Sequence, residues 1–113
     1  MNNKEFTQYV ERILEDCKCL LLAKGHDYSG LENRLSNFLE GSKEIDVPVM
    51  KFLWPYLDKH LRAIKTYVRG ERLTGENVQE KIKDSINYLL LLSAIIHEYG
   101  SHQVSITDIS LKN

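Results

Sequence analysis

A chain of 113 residues is long enough for one hydrophobic core and too short for a second domain. Hydrophobic residues at 42% and charged residues at 27% are the proportions of a globular domain, not of a disordered or membrane-embedded chain. The net charge of −1 argues against general nucleic-acid binding, which needs a basic surface against the phosphate backbone, but leaves room for a local basic pocket.

In chain order, Phe6, Val10, Ile13, Cys17 and Leu20 or Leu21 recur at spacings of three and four, the stripe of an amphipathic helix. This first helix is expected from about Asn3 to Lys24, with Gly25 as a C-cap and residues Gly25 to Gly30 as a structured loop. The leading residues Met1 to Glu5 run into charged helix and carry no apolar secretory signal, so a cytoplasmic location is expected. Cys17 and Cys19 point well apart on a helix and cannot bridge each other; both are expected as reduced thiols, with Cys17 in the core.

Leu31 to Glu40 forms a shorter helical pattern with Leu31, Leu35, Phe38 and Leu39 inward, closed by Gly41-Ser42. Asp46 as N-cap and Pro48 in the first turn open a long third helix that buries Phe52, Leu53, Tyr56, Leu57, Leu61, Ile64 and Val68. Trp54-Pro55 interrupts it, predicting a kink or a restart near Tyr56. Gly70 and Gly75 bracket a loop, and Thr74 or Gly75 caps a fourth helix from about Glu76 to Tyr99, ended by Gly100. Residues Ser101 to Ile109 alternate weakly like a short strand and have no partner in such a chain; they are expected as an arm packed on another subunit. The expectation is an all-α bundle of about four helices over residues 1–100, with a long kinked third helix, a buried fourth helix and a C-terminal tail or arm over 101–113.

The longest apolar run, Tyr88 to Ile96, contains a serine and is about half the length a bilayer-spanning helix needs, so no membrane partner is expected. Leu89 through Leu92 with Ile95 and Ile96 make the fourth helix apolar on every side, which places it at the bundle centre or in an oligomer interface. In a domain this small the second option, a homo-oligomer, is favoured. Its N-terminal half differs, because Glu76, Glu80 and Asp84 recur at every fourth position and Asn87 continues the stripe. Acids stacked on one helical face repel unless offset, here by Lys59 and Arg62 of the third helix or by a divalent metal.

A plainer reading makes that stripe a solvated face laced by Lys81 and Lys83, and Asp58 with Arg62 a surface ion pair. Against it, the polar residues Asp84-Ser85 and Asn87 run directly into the apolar segment, where an acid and an amide need partners. His26, His60, His97 and His102 lack zinc-ligand spacing and read as ordinary residues. No glycine-rich phosphate loop, nucleophile elbow or Cys/His triad is present in the sequence.

Four segments occur in order: Lys24-Gly25-His26-Asp27-Tyr28-Ser29, Asn33-Arg34-Leu35-Ser36-Asn37-Phe38, Asp58-Lys59-His60-Leu61-Arg62, and Glu76 with Glu80 and Asp84-Ser85-Ile86-Asn87-Tyr88. Together they resemble the small phage and prophage family called nucleotide-modification-associated domain 1, over roughly Lys24 to Leu92. Ser29 stands where that family prefers glycine and Glu80 where it prefers aspartate. The layout is more distantly similar to the all-α nucleoside-triphosphate pyrophosphohydrolases of the MazG and dimeric dUTPase type, without their paired acidic signature: Lys81 stands three before Asp84, and the second helix offers Asn33 and Asn37 in place of acids.

The resemblance implies a phage or prophage-type protein that acts on or sequesters a nucleotide or nucleotide-derived signal, bound by Asp27, Tyr28, Asn37, Lys59, Arg62 and Asn87. A magnesium-dependent pyrophosphohydrolase is the alternative. There Glu80 and Asp84 hold the metal, Lys59 and Arg62 neutralise the phosphates, Asp27 or Asp58 orients the attacking water, and Tyr28 stacks on a base. The departures from the acidic signature favour binding over catalysis. A third reading is a structural oligomer without ligand, whose polar stripe fixes helix register.

Overall fold

The computed structural model describes residues 1–28, 35–71 and 77–107, with side chains described over 1–23, 35–71 and 77–100. Four helices follow one another: α1 (Asn3–Tyr28), α2 (Ser36–Glu44), α3 (Val49–Val68) and α4 (Val78–Thr107). Among the described residues there is no strand, and the all-α bundle expected from the hydrophobic periodicity is what forms. α4 is the organising element, since α3 lies along it and α1 packs on it, while α2 packs on α3. No described helix is long and apolar enough to cross a membrane.

The helix starts are set locally. At α1, Asn2 and Glu5 form a reciprocal box: the Asn2 side-chain oxygen accepts from the Glu5 N–H at 2.8 Å, and the Glu5 carboxylate accepts from the Asn2 N–H at 2.9 Å. Two orphan donors of the first turn are thereby satisfied. α4 starts at Asn77, whose side-chain oxygen accepts from the Gln79 N–H at 2.8 Å. The caps expected at Thr74 or Gly75 lie outside the described residues.

Several boundaries differ from the sequence expectation, and three of them involve glycine. α1 runs through Gly25 to Tyr28, α2 runs through Gly41 to Glu44, and α4 runs through Gly100 to Thr107. A glycine inside a helix costs only about 1 kcal/mol relative to alanine, too little to end a helix whose flanks are packed or hydrogen-bonded. At Gly41 the missing side chain is itself the reason for the residue, because any Cβ there would collide with the Phe52 ring. Residues 101–107 continue the helix in place of the expected short strand, since an unpaired strand leaves its N–H groups without partners and a helix does not.

Asp46 is not the N-cap of α3. It sits at φ 57°, immediately beyond the end of α2, where its N–H reaches the Lys43 carbonyl at 3.2 Å and the Val47 N–H reaches the Ser42 carbonyl at 3.0 Å. This is the left-handed closing pattern of a helix C-terminus, and aspartate tolerates it better than most side chains. The cap of α3 is Pro48, with φ −59° and ψ 146°, whose carbonyl accepts from Lys51 and Phe52. Pro55 lies inside one continuous α3, so the helix does not restart at Tyr56.

The core is thin. Leu35, Val49, Leu53, Leu57 and Ile95 form the buried cluster, with Phe38, Leu39, Tyr88 and Leu91 among those packed around it. Cys17 is buried on α1, as expected, but Phe6 is exposed because the first turns of α1 project past the bundle. On α3, Tyr56, Leu61 and Val68 are exposed instead of buried. On α4, Ile95 is fully buried, whereas Leu89, Leu90 and Ile96 remain about half exposed, so a single chain covers only one side of that helix.

Candidate functional site

The polar residues of α3 and α4 gather around a run of aromatic rings. Phe52, Tyr56 and His60 recur at every fourth position on α3 and therefore share one face. Phe38 of α2 meets Phe52 and Tyr56 edge-on, with centroids 6.5 and 6.3 Å apart. Tyr88 of α4 stacks on Tyr56 at 6.2 Å with planes 14° apart, and on His60 at 5.3 Å with planes 27° apart. At the end of this run His60 Nδ1 lies 3.9 Å from Asp84 Oδ2. That is too long for a hydrogen bond.

Basic groups flank the run on the outer side of α3. Tyr56, Lys59 and Arg62 follow at intervals of three and are neighbours on the helix surface; Lys59 is exposed, and the Arg62 side chain is 80% exposed. Arg62 is held by Asp58 at 2.8 Å, the pairing expected from their spacing. Asn37 is exposed on α2. Asp27 and Tyr28 occupy the last turn of α1, and their side chains lie outside those described.

The acids of α4 part company. Glu80 points toward α1, where Lys83 Nζ sits 3.8 Å from Glu80 Oε2 and 3.1 Å from Asp16 Oδ2. Asp84 faces α3 and His60 instead. Among the described residues no group of three His, Cys, Asp or Glu gathers as a metal would require; Glu76 lies outside them. Lys81 and Ser85 are buried and Lys83 is mostly covered, while Glu80 stays 58% exposed beside Lys83, so this half of α4 is a solvated charged face only in part.

Asn87 is buried, and its side-chain oxygen has no hydrogen-bond partner. A buried amide left in this state carries a desolvation cost of about 1–3 kcal/mol. Close by on α1, the Cys17 thiol donates to the Lys83 carbonyl at 3.9 Å. Burial pushes the Cys17 thiol above its ordinary value, more than the nearby Lys83 charge pulls it down. The hydrogen bond that Lys83 donates to the Asp16 carboxylate raises the Lys83 amine above its ordinary value. Cys19 is also raised, chiefly by its contact with the Glu15 carboxylate at 3.5 Å. Neither thiol is an activated nucleophile.

His60, expected from the sequence as an ordinary residue, stands inside this run. Taken alone it has no ligand spacing, but its position one turn after Tyr56 and two after Phe52 marks it as part of an aromatic stripe. Beyond this corner, an apolar cleft of 730 Å³ opens between α1 and α4, lined by Leu21, Leu22, Leu35, Leu91, His97 and Tyr99 among others. The arrangement offers ring faces, a partly covered carboxylate and two outer cations. It can stack a planar group, accept hydrogen bonds and attract an anion. No protein-family model, curated protein or solved structure matches the chain.

Proposed function

We infer that this chain is a nucleotide-binding protein, of the phage or prophage type its motifs resemble, that sequesters or acts on a nucleotide or nucleotide-derived signal. The observation that carries the reading is the Tyr56–Tyr88–His60 stack ending at Asp84, with Lys59 and Arg62 alongside. Tyr56 is 46% exposed and offers ring surface to a base, an interaction worth about 1–3 kcal/mol where bases stack on aromatic side chains. The Asp84 carboxylate accepts from a base amino group or a ribose hydroxyl, and Lys59 and Arg62 meet the phosphates.

Binding is favoured over magnesium-dependent hydrolysis because each acid already has a neighbour, Lys83 at 3.8 Å from Glu80 and His60 at 3.9 Å from Asp84. The test is a thermal-shift screen of purified protein against linear and cyclic nucleotides, with and without magnesium. A metal-independent rise with the ligand recovered intact supports this reading. A rise that needs magnesium and yields cleavage products supports the pyrophosphohydrolase alternative, and no rise with any nucleotide supports a structural oligomer.

A further inference from the structure

Two exposed tyrosines stand on one flank of α3. Tyr56 and Tyr67 are eleven residues apart, close to three whole turns, so they share a side of the helix roughly 16 Å from one another along its axis. Tyr56 is 46% exposed and Tyr67 55%. Beside them Lys59, Arg62 and Arg69 follow one outward stripe at intervals of three and seven, and all three are exposed. Arg69 is the C-cap, yet its right-handed conformation and its N–H on the Lys65 carbonyl at 3.0 Å keep it on the helical path.

The sign of the charge sets this face apart. From Val49 to Arg69 the cations are Lys51, Lys59, Arg62, Lys65 and Arg69 against Asp58 alone, whereas α1, α2 and α4 each hold more acids than cations. A helix C-terminus favours cations in its last turn, which accounts for Lys65 and Arg69 but not for Lys59 and Arg62 further back. Asp58 engages Arg62 through Nε, and a guanidinium carries further donors on its two terminal nitrogens. Rings and cations along one track are the two parts of a surface that holds a single-stranded nucleic acid: bases stack on the rings whatever their sequence, and phosphates meet the cations. A duplex keeps its bases inside and offers none to Tyr56. The tyrosine flank also adjoins the Asp84 carboxylate, through Tyr88 and His60, and an acid there suits a base amino group and repels an anionic membrane.

We propose that α3 extends the nucleotide site into a track for a short single strand, with one base on the Tyr56 ring, another on Tyr67, and the connecting phosphates on Lys59, Arg62 and Arg69. The inference rests on the nucleotide reading and names its ligand class as an oligonucleotide in place of a mononucleotide. At the ~3.4 Å per nucleotide of a stacked strand the two rings are about five nucleotides apart, and fewer when the strand is drawn out. The overall charge of −1 does not oppose this, because the cations are gathered on α3.

The test is titration of the full chain with 5′-phosphorylated oligodeoxyadenylates of increasing length, from the mononucleotide to about eight nucleotides. Wild-type affinity is expected to rise by about tenfold or more between one nucleotide and five, and to level off beyond. For the pentanucleotide, log affinity is expected to fall against log salt with a slope of about −2, from three phosphates at roughly 0.7 each. The double variant Y67A/R69A, altered at two exposed positions outside the mononucleotide site, is expected to keep the mononucleotide affinity and lose the gain with length. Equal affinity for one and five nucleotides overturns the inference and leaves the nucleotide reading standing, as does failure of the whole series in a protein that binds another nucleotide. Failure of every nucleotide and oligonucleotide overturns both. A gain with length that survives Y67A/R69A overturns the track, and so does binding of phosphatidylserine vesicles with no gain from strand length. Should the variant lose its helical circular dichroism, the length series in wild type decides alone.

Discussion

His60 and Asp84 face each other across the α3–α4 contact, the imidazole Nδ1 3.9 Å from a carboxylate oxygen while its ring lies on Tyr88. The pair joins an aromatic run to an acid at the place where two helices meet. In the nucleotide reading Asp84 contacts the ligand and His60 keeps Tyr88 and Asp84 in position. D84N is therefore expected to weaken nucleotide binding by about tenfold, the effect of ~1.4 kcal/mol, while H60F keeps a stacked ring and loses less. Titration calorimetry of both variants checks this, and equal affinities for D84N and wild type contradict it.

Asn87 tests whether buried polarity on α4 serves the fold. Its unpartnered oxygen means that N87L exchanges an uncompensated amide for apolar volume, and the variant is expected to be at least as stable as wild type. N87D places a charge in the same buried position and is expected to unfold at lower temperature. Thermal melts of the two variants should diverge in opposite directions.

Gly41 and Gly100 are both helical and should respond differently to alanine. G41A drives a methyl group into the Phe52 ring, which is itself packed on Phe38 and Tyr56, and overpacking of this kind costs about 1–3 kcal/mol. G100A meets only the Ile96 side chain, with Cγ2 at 3.3 Å and Cβ at 3.9 Å, and gains helix propensity of up to about 1 kcal/mol. Chemical denaturation is expected to rank G41A below wild type and G100A level with it or above.

The two raised groups at the α1–α4 contact set an alkaline limit. Lys83 is raised by Asp16, so the stability from that pair is present while the amine stays charged and is lost as pH climbs through its folded-state value. Cys17 is raised from 9.0 by burial; above that pH the unfolded thiol ionises first, which favours unfolding. Both effects have the same sign. The melting temperature should fall as pH rises beyond about 9, the ordinary thiol range, and C17A should fall less steeply. A flat profile in wild type contradicts the contact.

The sequence made the helices legible wherever burial follows one stripe, as at Leu53, Leu57 and Ile95. It misleads at glycines, because Gly25, Gly41 and Gly100 carry a stop signal in isolation and only the packing of Phe52 on Gly41 explains why α2 continues. Asp46 is ambiguous for a similar reason: the same side chain suits a helix start and a left-handed helix end, and the hydrogen bonds of Lys43 and Ser42 decide between them. At the candidate site, spacing placed Glu80 and Asp84 one turn apart but could not show that Lys83, paired with Asp16 of α1, sits beside one acid while His60 faces the other. Such partners come from elements distant in sequence, which helical periodicity does not encode.

The measurement that tests the central reading most directly is equilibrium binding of the nucleotide panel to wild type and to the double variant K59A/R62A, both positions being exposed and therefore safe for the fold. Metal-independent binding of at least one nucleotide by wild type is expected, weakened by about tenfold or more in the variant as two phosphate contacts are lost. Failure of every nucleotide to bind the wild type, or equal affinity in the two proteins, would contradict it.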